Sequence, residues 1–141
     1  MTPVRFLLDT SAVVRLLRSP NAQAGWEQQI SAGLVAVCPV VELELLYSAR
    51  SAAHREEIVD LLASAFAWVP MPERVFTHAA DLQAALATRA LHRCAGPVDL
   101  LVAATAELHT LTLVHYDRDF DQIAKVTGQP AAWLAPAGTM N

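Results

Sequence analysis

The sequence predicts an α/β fold in which helices cover both faces of a parallel sheet. Short apolar runs alternate along the chain with longer segments whose apolar residues recur at helical spacing. Strands that are buried on both faces of a parallel sheet are typically such unbroken apolar runs, and the intervening helices connect them. The length of 141 residues fits one domain, and no repeat, linker or low-complexity segment divides it.

The predicted strands are the short apolar runs. The first ends at Asp9, the second follows Gly33, and the last is expected at an edge of the sheet. The strands are predicted at residues 4–8, 34–38, 67–69 and 111–115, with the edge strand at 131–134. The sheet is therefore expected to have four or five strands.

Capping residues and helix breakers delimit the predicted helices. Thr10 and Ser11 supply hydroxyls that cap the first helix, and Pro39 starts the third. Residues 19–21 are expected to interrupt the chain between the first two helices, and the strongly apolar helix at 97–109 is expected to be central. The helices are predicted at 10–18, 23–32, 40–49, from Ser51 to Ala65, 72–91, 97–109 and 117–127.

The composition excludes several classes of protein. The chain is 54% hydrophobic and 17% charged with a net charge of −4, which excludes an intrinsically disordered chain and a strongly basic duplex binder. The uncharged stretches at 28–41 and 126–141 are too short for a membrane-spanning helix, and both contain proline. A mean hydropathy of +0.32 in so small a domain predicts apolar surface that a partner covers.

The two cysteines indicate a reducing compartment. Cys38 and Cys94 belong to no CxxC pair and to no Cys/His spacing typical of zinc, so they are expected to be unpaired, buried side chains. No signal-peptide pattern precedes the first strand. We therefore expect a cytoplasmic protein without membrane association, with one domain at 1–134 and a frayed tail at 135–141.

The acidic residues stand where α/β folds build their sites. Asp9 ends the first strand, Asp117 follows the fourth, and Asp99 lies in the first turn of the apolar helix at 97–109. Glu42 and Glu44 lie in the first turns of the helix after the second strand. Because ligand sites of parallel sheets form at the carboxyl ends of strands, these acids are expected to meet in one site.

Each acid also has a purely structural explanation. Asp9 suits a helix cap, and Asp99 suits the positive end of a helix. Asp117, Asp119 and Asp121 suit a solvated first turn of a helix, which is the preferred interpretation for Asp121. Glu42 and Glu44 are two positions apart on a helix, so at most one of them faces a shared site.

The convergence of acids in apolar segments favours a metal site over these separate explanations. Neither Lys nor Arg adjoins Asp9, Glu44 or Asp99 in the sequence, so a divalent ion is the natural counter-charge. Oxygen ligands suit Mg²⁺ or Mn²⁺. Such ions activate water and stabilise the oxygens of an in-line displacement, which is the chemistry of phosphodiester hydrolysis.

Four motifs, taken in order, resemble a known family. They are LLDTSA at 7–12, LELLYSAR at 43–50, VDLLVAATA at 98–106 and HYDRDFDQIA at 115–124. Together they resemble the PIN-domain ribonucleases, and more narrowly the VapC toxins of bacterial VapBC toxin–antitoxin systems. The ending VTGQPAAWL at 126–134 is also similar to VapC sequences. The resemblance covers nearly the whole chain and implies a PIN-like three-layer α/β/α sandwich.

Carried onto this chain, the resemblance implies a set of catalytic and metal-binding acids. The catalytic acids are Asp9, Glu44, Asp99 and Asp117. The metal ligands are Asp9, Asp99 and Asp117, with Glu44, Asp119 and Glu42 as secondary candidates. Glu44 ranks before Glu42 because it begins the motif E-L-x-x-[G/S], with Ser48 in the small-residue position.

The resemblance also implies an activity and partners. The expected activity is a Mg²⁺- or Mn²⁺-dependent endoribonuclease that cleaves tRNA or ribosomal RNA and so inhibits translation. The expected partners are a cognate VapB-like antitoxin and a second copy of the chain, in a homodimer and in a heterotetramer or larger complex with the antitoxin.

Weaker candidates for RNA contact flank the acids. They are Thr10, Ser11, Arg89, His92, Arg93 and Arg118. The hydroxyls equally suit helix caps, and the charged residues equally suit solvated helix ends. Arg15, Arg18 and Arg50 are further candidates that the sequence alone does not separate from ordinary surface charge.

Two other functions also fit the sequence. One is a catalytically inactive PIN-like module that binds nucleic acid or sequesters an antitoxin. The other is a metal-dependent DNA nuclease. Metal binding that depends on Asp9 and Asp99 would separate the first from an enzyme, and a comparison of RNA with DNA cleavage would separate the second.

Overall fold

The chain folds into one α/β unit, which a computed structural model describes over residues 3–140. Within that range there are five strands and seven helices. In chain order they are β1 (Phe6–Leu8), α1 (Thr10–Arg18), α2 (Pro20–Ser31), β2 (Val35–Val37), α3 (Pro39–Tyr47), α4 (Ala52–Ala65), β3 (Ala67–Trp68), α5 (Val75–Ala87), α6 (Pro97–Leu108), β4 (Thr112–His115), α7 (Asp119–Thr127) and β5 (Ala131–Trp133). The predicted alternation of strands and helices is confirmed.

The five strands form one parallel sheet in the order β3-β2-β1-β4-β5. From β1 the chain moves outward through β2 to β3, and it then crosses to β4 and β5 on the other side. Right-handed crossovers place α1 to α4 on one face of the sheet and α5 to α7 on the other. The neighbours β1 and β4 therefore flank the topological switch point, where α/β sheets bind ligands at the carboxyl ends of strands.

The core is centred on β1 and β4 and on the helix that covers them. Leu7 and Leu8 of β1 and Val114 of β4 are fully buried. Five consecutive residues of α6, at 102–106, are also buried, so the predicted central position of this helix is confirmed. A helix that is apolar on nearly all sides needs such a position, since any exposed face would leave apolar surface in water.

In three helices the difference from the predicted boundaries has a clear local cause. α2 begins at Pro20, because the Ser19 hydroxyl accepts the N–H of Ala22 and proline fits the first helical turn. α5 spans Val75–Ala87, whereas 72–91 is predicted; a turn precedes it, and Ala90 leaves it with a φ of 57°. α7 begins at Asp119 because the Asp117 side chain accepts the Asp119 N–H and forms a turn before the helix.

The described part of the C-terminal tail, residues 135–140, is held against the domain. The Tyr116 hydroxyl accepts the N–H of Met140 at 2.6 Å, and Met140 packs against the core. Just before the tail, Trp26 Nε1 donates to the Leu134 carbonyl at 3.0 Å. The expectation of a frayed tail is therefore wrong for these residues, while residues 1–2 and 141 lie outside the described range.

Both cysteines are unpaired, as predicted; Cys38 is buried and Cys94 is half-buried. Among residues 3–140, no helix combines the length and the apolar character that crossing a bilayer requires.

Candidate active site

The acids after β1 and β4 meet at the switch point. Asp9 directly follows β1, and its N–H donates to the carbonyl of Val114 in β4 at 3.0 Å. Asp117 lies two residues beyond His115, the last residue of β4. The carboxyl ends of two neighbouring strands thus carry residues 9 and 117 to the same edge of the sheet.

Asp9 is a buried carboxylate with only 4% of its surface exposed. One of its oxygens accepts the N–H of Ala12 at 2.9 Å, and the Ser11 hydroxyl donates to the carboxylate at 2.8 Å. Burial raises the pKa of Asp9 to about 6, although these hydrogen bonds lower it, and the nearby charge of Asp99 adds to the rise. Asp9 therefore caps α1, as one of its two explanations expects, and also lies close enough to Asp99 for the two charges to interact.

Ser11 ties Asp9 to the connection that carries Asp117. Its hydroxyl donates to Asp9 and accepts the backbone N–H of Tyr116 at 3.0 Å. The position of the Asp9 carboxylate is thereby fixed relative to the end of β4.

Asp99 lies in the first turn of α6 and is partly buried. Burial raises the pKa of Asp99 above its usual value, and a hydrogen bond at the Gly96 backbone opposes this rise. The negative charges of Asp117, Glu44 and Asp119 raise it further. These interactions place carboxylates from α3, α6 and the β4–α7 connection close to one another.

The structure distinguishes between the two glutamates of α3. Glu44 accepts a hydrogen bond from the Thr10 hydroxyl, and its charge acts on Asp99. Glu42 instead lines a separate cavity with Leu62 of α4 and Trp68 of β3. Glu44 therefore lies beside the other acids, which supports its rank before Glu42, and the secondary role of Glu42 stays a prediction.

The acids after β4 also divide into two groups. Asp117 accepts the N–H of Asp119 at 2.9 Å, and the charge of Asp117, together with burial, raises the pKa of Asp119. Asp121 lies elsewhere, because it accepts the indole N–H of Trp133 at 3.2 Å. Five carboxylates therefore form the group that we name the acid cluster: Asp9, Glu44, Asp99, Asp117 and Asp119.

No ion pair neutralises the acid cluster within residues 3–140. The basic–acidic side-chain pairs in that range are Arg55–Glu56, His78–Glu107 and His115–Asp121, and the two histidine pairs are ionic only when the imidazole is protonated. Carboxylates that gather without a cation repel one another, and this repulsion adds to the rise in pKa that burial causes at Asp99 and Asp119.

The donor chemistry of the acid cluster fits a hard divalent cation, since all of its side chains offer carboxylate oxygens. Across the described range, however, no three carboxylate, imidazole or thiol side chains are arranged to hold an ion on their own. Mg²⁺ commonly keeps several water ligands and binds through one or two carboxylates together with substrate phosphates. The cluster thus fits a partly hydrated ion, and it does not form an all-protein cage.

The weaker RNA-contact candidates divide into two hydroxyls that contact the acid cluster and four exposed basic side chains. Thr10 and Ser11 hold cluster carboxylates, whereas Arg118, just after Asp117, is exposed. Arg89, His92 and Arg93 are exposed in the connection between α5 and α6.

Cys94 shows that the α5–α6 connection borders the acid cluster, a proximity that the sequence analysis missed. Burial raises the pKa of the Cys94 thiol, and the charges of Asp119, Asp99 and Asp117 add to the rise. The available signal was the position of Cys94, five residues before Asp99.

His115 is a buried residue of β4, with 1% of its surface exposed. Its ring stacks on Phe120, with centroids 5.2 Å apart, and its Nδ1 accepts the N–H of Asp117 at 3.3 Å. Burial lowers the pKa of His115. His115 therefore supports the connection that carries Asp117 and does not line the crevice.

Comparison with known proteins assigns the family. A family model described as the PIN domain matches residues 6–126. The chain belongs to the PIN-domain family. The α/β/α architecture predicted from the motif resemblance is thereby confirmed for this PIN-domain protein.

Curated relatives extend the match over nearly the whole length. The PIN-domain protein is 39% identical over 137 residues to Ribonuclease VapC18 of Mycobacterium tuberculosis, covering 96% of this chain and 98% of that one. It is 41% identical over 138 residues to Ribonuclease VapC51 of the same organism, covering 98% of each chain. Within the PIN family it therefore groups with the VapC proteins.

Solved structures share the fold at low identity. A VapBC2 structure from Rickettsia felis, bound to a DNA fragment from the promoter, matches with a TM-score of 0.78 and 17% identity over 92% of this chain and 98% of that one. A DNA-bound VapBC structure from Salmonella typhimurium matches with a TM-score of 0.75 and 17% identity, over 94% and 99% of the two chains. At this identity the likeness concerns the fold alone.

Proposed function

We propose that this PIN-domain protein is an endoribonuclease that hydrolyses RNA phosphodiester bonds with Mg²⁺ or Mn²⁺. The acid cluster carries the proposal, because five carboxylates from four parts of the fold gather at the switch point without an ion pair in the described chain. Partly buried charges are costly unless an opposite charge offsets them. Relatives that share 39% and 41% identity are named ribonucleases, and PIN-domain ribonucleases are generally dependent on divalent metals.

Asp9, Asp99 and Asp117 are the proposed metal ligands, in part through water molecules that the ion keeps, with Glu44 and Asp119 as secondary ligands. When bound, the ion supplies positive charge that polarises the scissile phosphate and activates water.

The chain's own hydrogen bonds hold these carboxylates in place. The Ser11 hydroxyl orients Asp9, and the Thr10 hydroxyl orients Glu44. The turn in which Asp117 accepts the Asp119 N–H restrains the third ligand. Such supporting contacts reduce the rotational freedom that the ligands would otherwise lose on binding.

RNA approaches such a site through its phosphates, and basic side chains at the rim would attract them. Arg89, His92 and Arg93 belong to the connection that borders the acid cluster, and Arg118 follows Asp117 directly. We propose these four residues as weaker substrate contacts, with Thr10 and Ser11 acting through the carboxylates that they hold.

We further propose that the enzyme is the toxin of a VapBC pair and inhibits translation in the cytoplasm by cleaving tRNA or ribosomal RNA. Its proposed partners are a VapB-like antitoxin and a second copy of the chain, in a homodimer and in a heterotetramer or larger complex. The solved neighbours are VapBC structures, which supports this assignment. Large apolar side chains that are more than half exposed also support partner binding: Leu43, Tyr47, Trp68 and Phe76.

The test of the enzymatic proposal compares nucleic acids and metals. Purified protein is incubated with total RNA, flap DNA or single-stranded DNA in the presence of Mg²⁺, Mn²⁺ or a chelator. We expect cleavage of RNA with either metal and none with the chelator. Preferential cleavage of DNA would instead establish a DNA nuclease. Absence of cleavage, together with absence of Mn²⁺ binding, would establish an inactive binding module.

The toxin role has a separate test in cells. Induced expression is expected to arrest growth, and co-expression of a small DNA-binding antitoxin encoded next to the gene is expected to relieve the arrest. Mapping of RNA 5′ ends after induction identifies the substrate. Continued growth with a fully active enzyme would contradict the toxin role while leaving the ribonuclease proposal intact.

A further inference from the structure

Two arginines at the end of α1 line a cavity outside the acid cluster. The cavity has a volume of about 310 Å³ and lies between the α1–α2 junction and the C-terminal tail. It is lined by Arg15, Arg18, Ser19, Pro20, Thr139 and Met140. We name it the α1 cavity; its lining contains two cations and no acidic side chain.

Neither arginine is neutralised by the described part of the chain. No ion pair within residues 3–140 includes Arg15 or Arg18. In addition, Arg15 Nε is shielded from solvent and has no hydrogen-bond acceptor there. Positive charge that no acidic side chain offsets favours binding of an anion at the parts of Arg15 and Arg18 that line the α1 cavity.

The last carbonyls of α1, which basic residues at a helix end often bind, accept hydrogen bonds from groups other than the two arginines. Basic residues near the end of a helix often bind its last carbonyls. At the end of α1, however, the Gln23 side chain donates to the carbonyls of Leu16 and Leu17, at 3.1 and 3.3 Å. The N–H of Ser19 also donates to Leu16. The guanidinium groups are therefore left for another acceptor.

The α1 cavity is connected to the active site through Tyr116. The Arg15 guanidinium lies over the Tyr116 ring, 5.3 Å from its centroid. The N–H of the same tyrosine donates to Ser11, whose hydroxyl holds Asp9. Arg15 thus occupies a fixed position beside the residues that orient the acid cluster.

Helical geometry places the two arginines on the same face of α1 as Ser11, which contacts Asp9. Ser11, Arg15 and Arg18 are spaced by four and three residues, so they lie on one stripe of α1. At a rise of about 1.5 Å per residue, Arg15 lies about 6 Å and Arg18 about 10 Å beyond Ser11 along the helix axis. A strand of a few nucleotides can span such a distance from the acid cluster to the α1 cavity.

We propose that the α1 cavity binds a backbone phosphate of the RNA substrate at a distance from the bond that is cleaved. The inference rests on the proposed ribonuclease function and adds a substrate-positioning site to it. Guanidinium groups match phosphate oxygens in charge and geometry. Contacts to the phosphate backbone fix the position of a strand without reading its sequence, so Arg15 and Arg18 set where the RNA lies relative to the acid cluster.

The test measures RNA binding without cleavage. The probe is a fluorescein-labelled single-stranded RNA of mixed sequence, bound by the full chain in a chelator, with fluorescence anisotropy recorded over a range of salt concentrations. We expect Arg15→Gln and Arg18→Gln each to weaken binding about fivefold at low salt. Each is also expected to reduce the slope of log affinity against log salt by about 0.7, the value for one phosphate contact on a single strand.

Two control variants separate phosphate binding from other effects. Arg5→Gln removes the same charge from an exposed residue that lies just before β1 and does not line the α1 cavity, and it is expected to leave the salt slope unchanged. Arg15→Lys keeps the charge while changing the contact with Tyr116, and is expected to keep the slope. In steady-state cleavage, the two glutamine variants are expected to raise KM and leave kcat unchanged.

Three results would overturn the inference. The first is a wild-type protein that does not bind the probe at low salt, and the second is an unchanged salt slope in both glutamine variants. The third is an equal loss of binding in Arg15→Lys and Arg15→Gln with a lowered Tm, which would indicate a packing role for Arg15. Binding is measured without metal and so does not depend on cleavage. If the variants change RNA binding as expected but the wild-type protein cuts no RNA, only the ribonuclease proposal is refuted.

Discussion

Acidic side chains have opposite surroundings in two regions of the molecule. Between α5 and α6, Glu107 is hydrogen-bonded to the imidazole of His78, and both side chains are partly buried. At the switch point, the five carboxylates of the acid cluster have no such partner within residues 3–140. The fold gives an acid a basic side chain as its partner in one place and gives the acid cluster none in the other.

This difference in partners indicates that the unpaired acid cluster lowers the stability of the folded protein in the absence of a bound cation. A protein whose charges are all matched gains nothing from binding a cation, whereas an unmatched cluster gains stability when a cation arrives. We therefore expect substitutions that remove a charge to have opposite consequences in the two regions.

The largest expected effect is on catalysis. Asp99→Asn should lower Mg²⁺-dependent RNA cleavage by at least about 100-fold, because a neutral amide binds a hard cation poorly. Glu107→Gln removes one negative charge from the paired region and should leave the rate within about twofold, since that site is remote from the proposed chemistry. Cleavage rates on the same RNA measure both, and equal rates in the two variants would remove the functional distinction between the regions.

The second largest expected effect is a change in the free energy of unfolding of the metal-free protein. Burial raises the pKa of Asp9 to about 6, so its ionised form destabilises the folded state at pH 7. Asp9→Asn keeps a capping side chain and should raise the free energy of unfolding at pH 7 by on the order of 2 kcal/mol. Glu107→Gln should instead lower it slightly, because it weakens the pair with His78. Urea unfolding in a chelator gives both values.

The pH dependence of this effect has a defined sign. The folded state binds the Asp9 proton more tightly than the unfolded state, where the pKa is near 3.8. Wild-type stability attributable to Asp9 is therefore greatest below about pH 4 and is lost as the pH rises through about 6. The gap between Asp9→Asn and wild type should open over the same interval, and a gap that does not depend on pH would show that Asp9 is not the titrating group.

A smaller loss of cleavage is expected when a hydrogen bond that supports the acid cluster is removed. Ser11→Ala removes the hydroxyl that joins Asp9 to the Tyr116 backbone and should reduce cleavage about fivefold, equivalent to one hydrogen bond of about 1 kcal/mol. Ser64→Ala is the matched control, because the Ser64 hydroxyl only donates to a carbonyl within α4. If the two variants cleave equally well, the Ser11 contact does not position Asp9.

The switch-point location of the acids could be predicted from the sequence. Unbroken apolar runs reveal buried parallel strands, and Asp9 and Asp117 stand at the ends of two of them. Asp99 is conspicuous for the same reason, as a charge in an apolar helix. These inferences need only local patterns and the general rules for parallel sheets.

The orientation of α3 could not be derived from the local sequence pattern. The choice between Glu42 and Glu44 depends on how the helix is rotated, which is set by the burial of Val41 and Leu45 against the core. The short span of α5 likewise depends on turns at both of its ends.

Contacts between residues far apart in the chain could also not be predicted from the sequence. Arg15 acquires its environment from Tyr116 and from the C-terminal tail, which are far away along the chain. No local pattern distinguishes Arg15 from an ordinary surface arginine, because the packing that shields it forms only in the folded protein.

Binding of Mn²⁺ to the metal-free protein tests the central claim most directly, since it requires neither the substrate nor cleavage. Calorimetric titration is carried out on wild type, Asp9→Asn and Glu107→Gln. We predict that wild type and Glu107→Gln bind Mn²⁺ with equal affinity and that Asp9→Asn binds at least about tenfold more weakly, since removing even a supporting contact of a metal ligand typically costs that much. Absence of Mn²⁺ binding in wild type, or equal binding in all three proteins, would contradict the assignment of the acid cluster as a metal site.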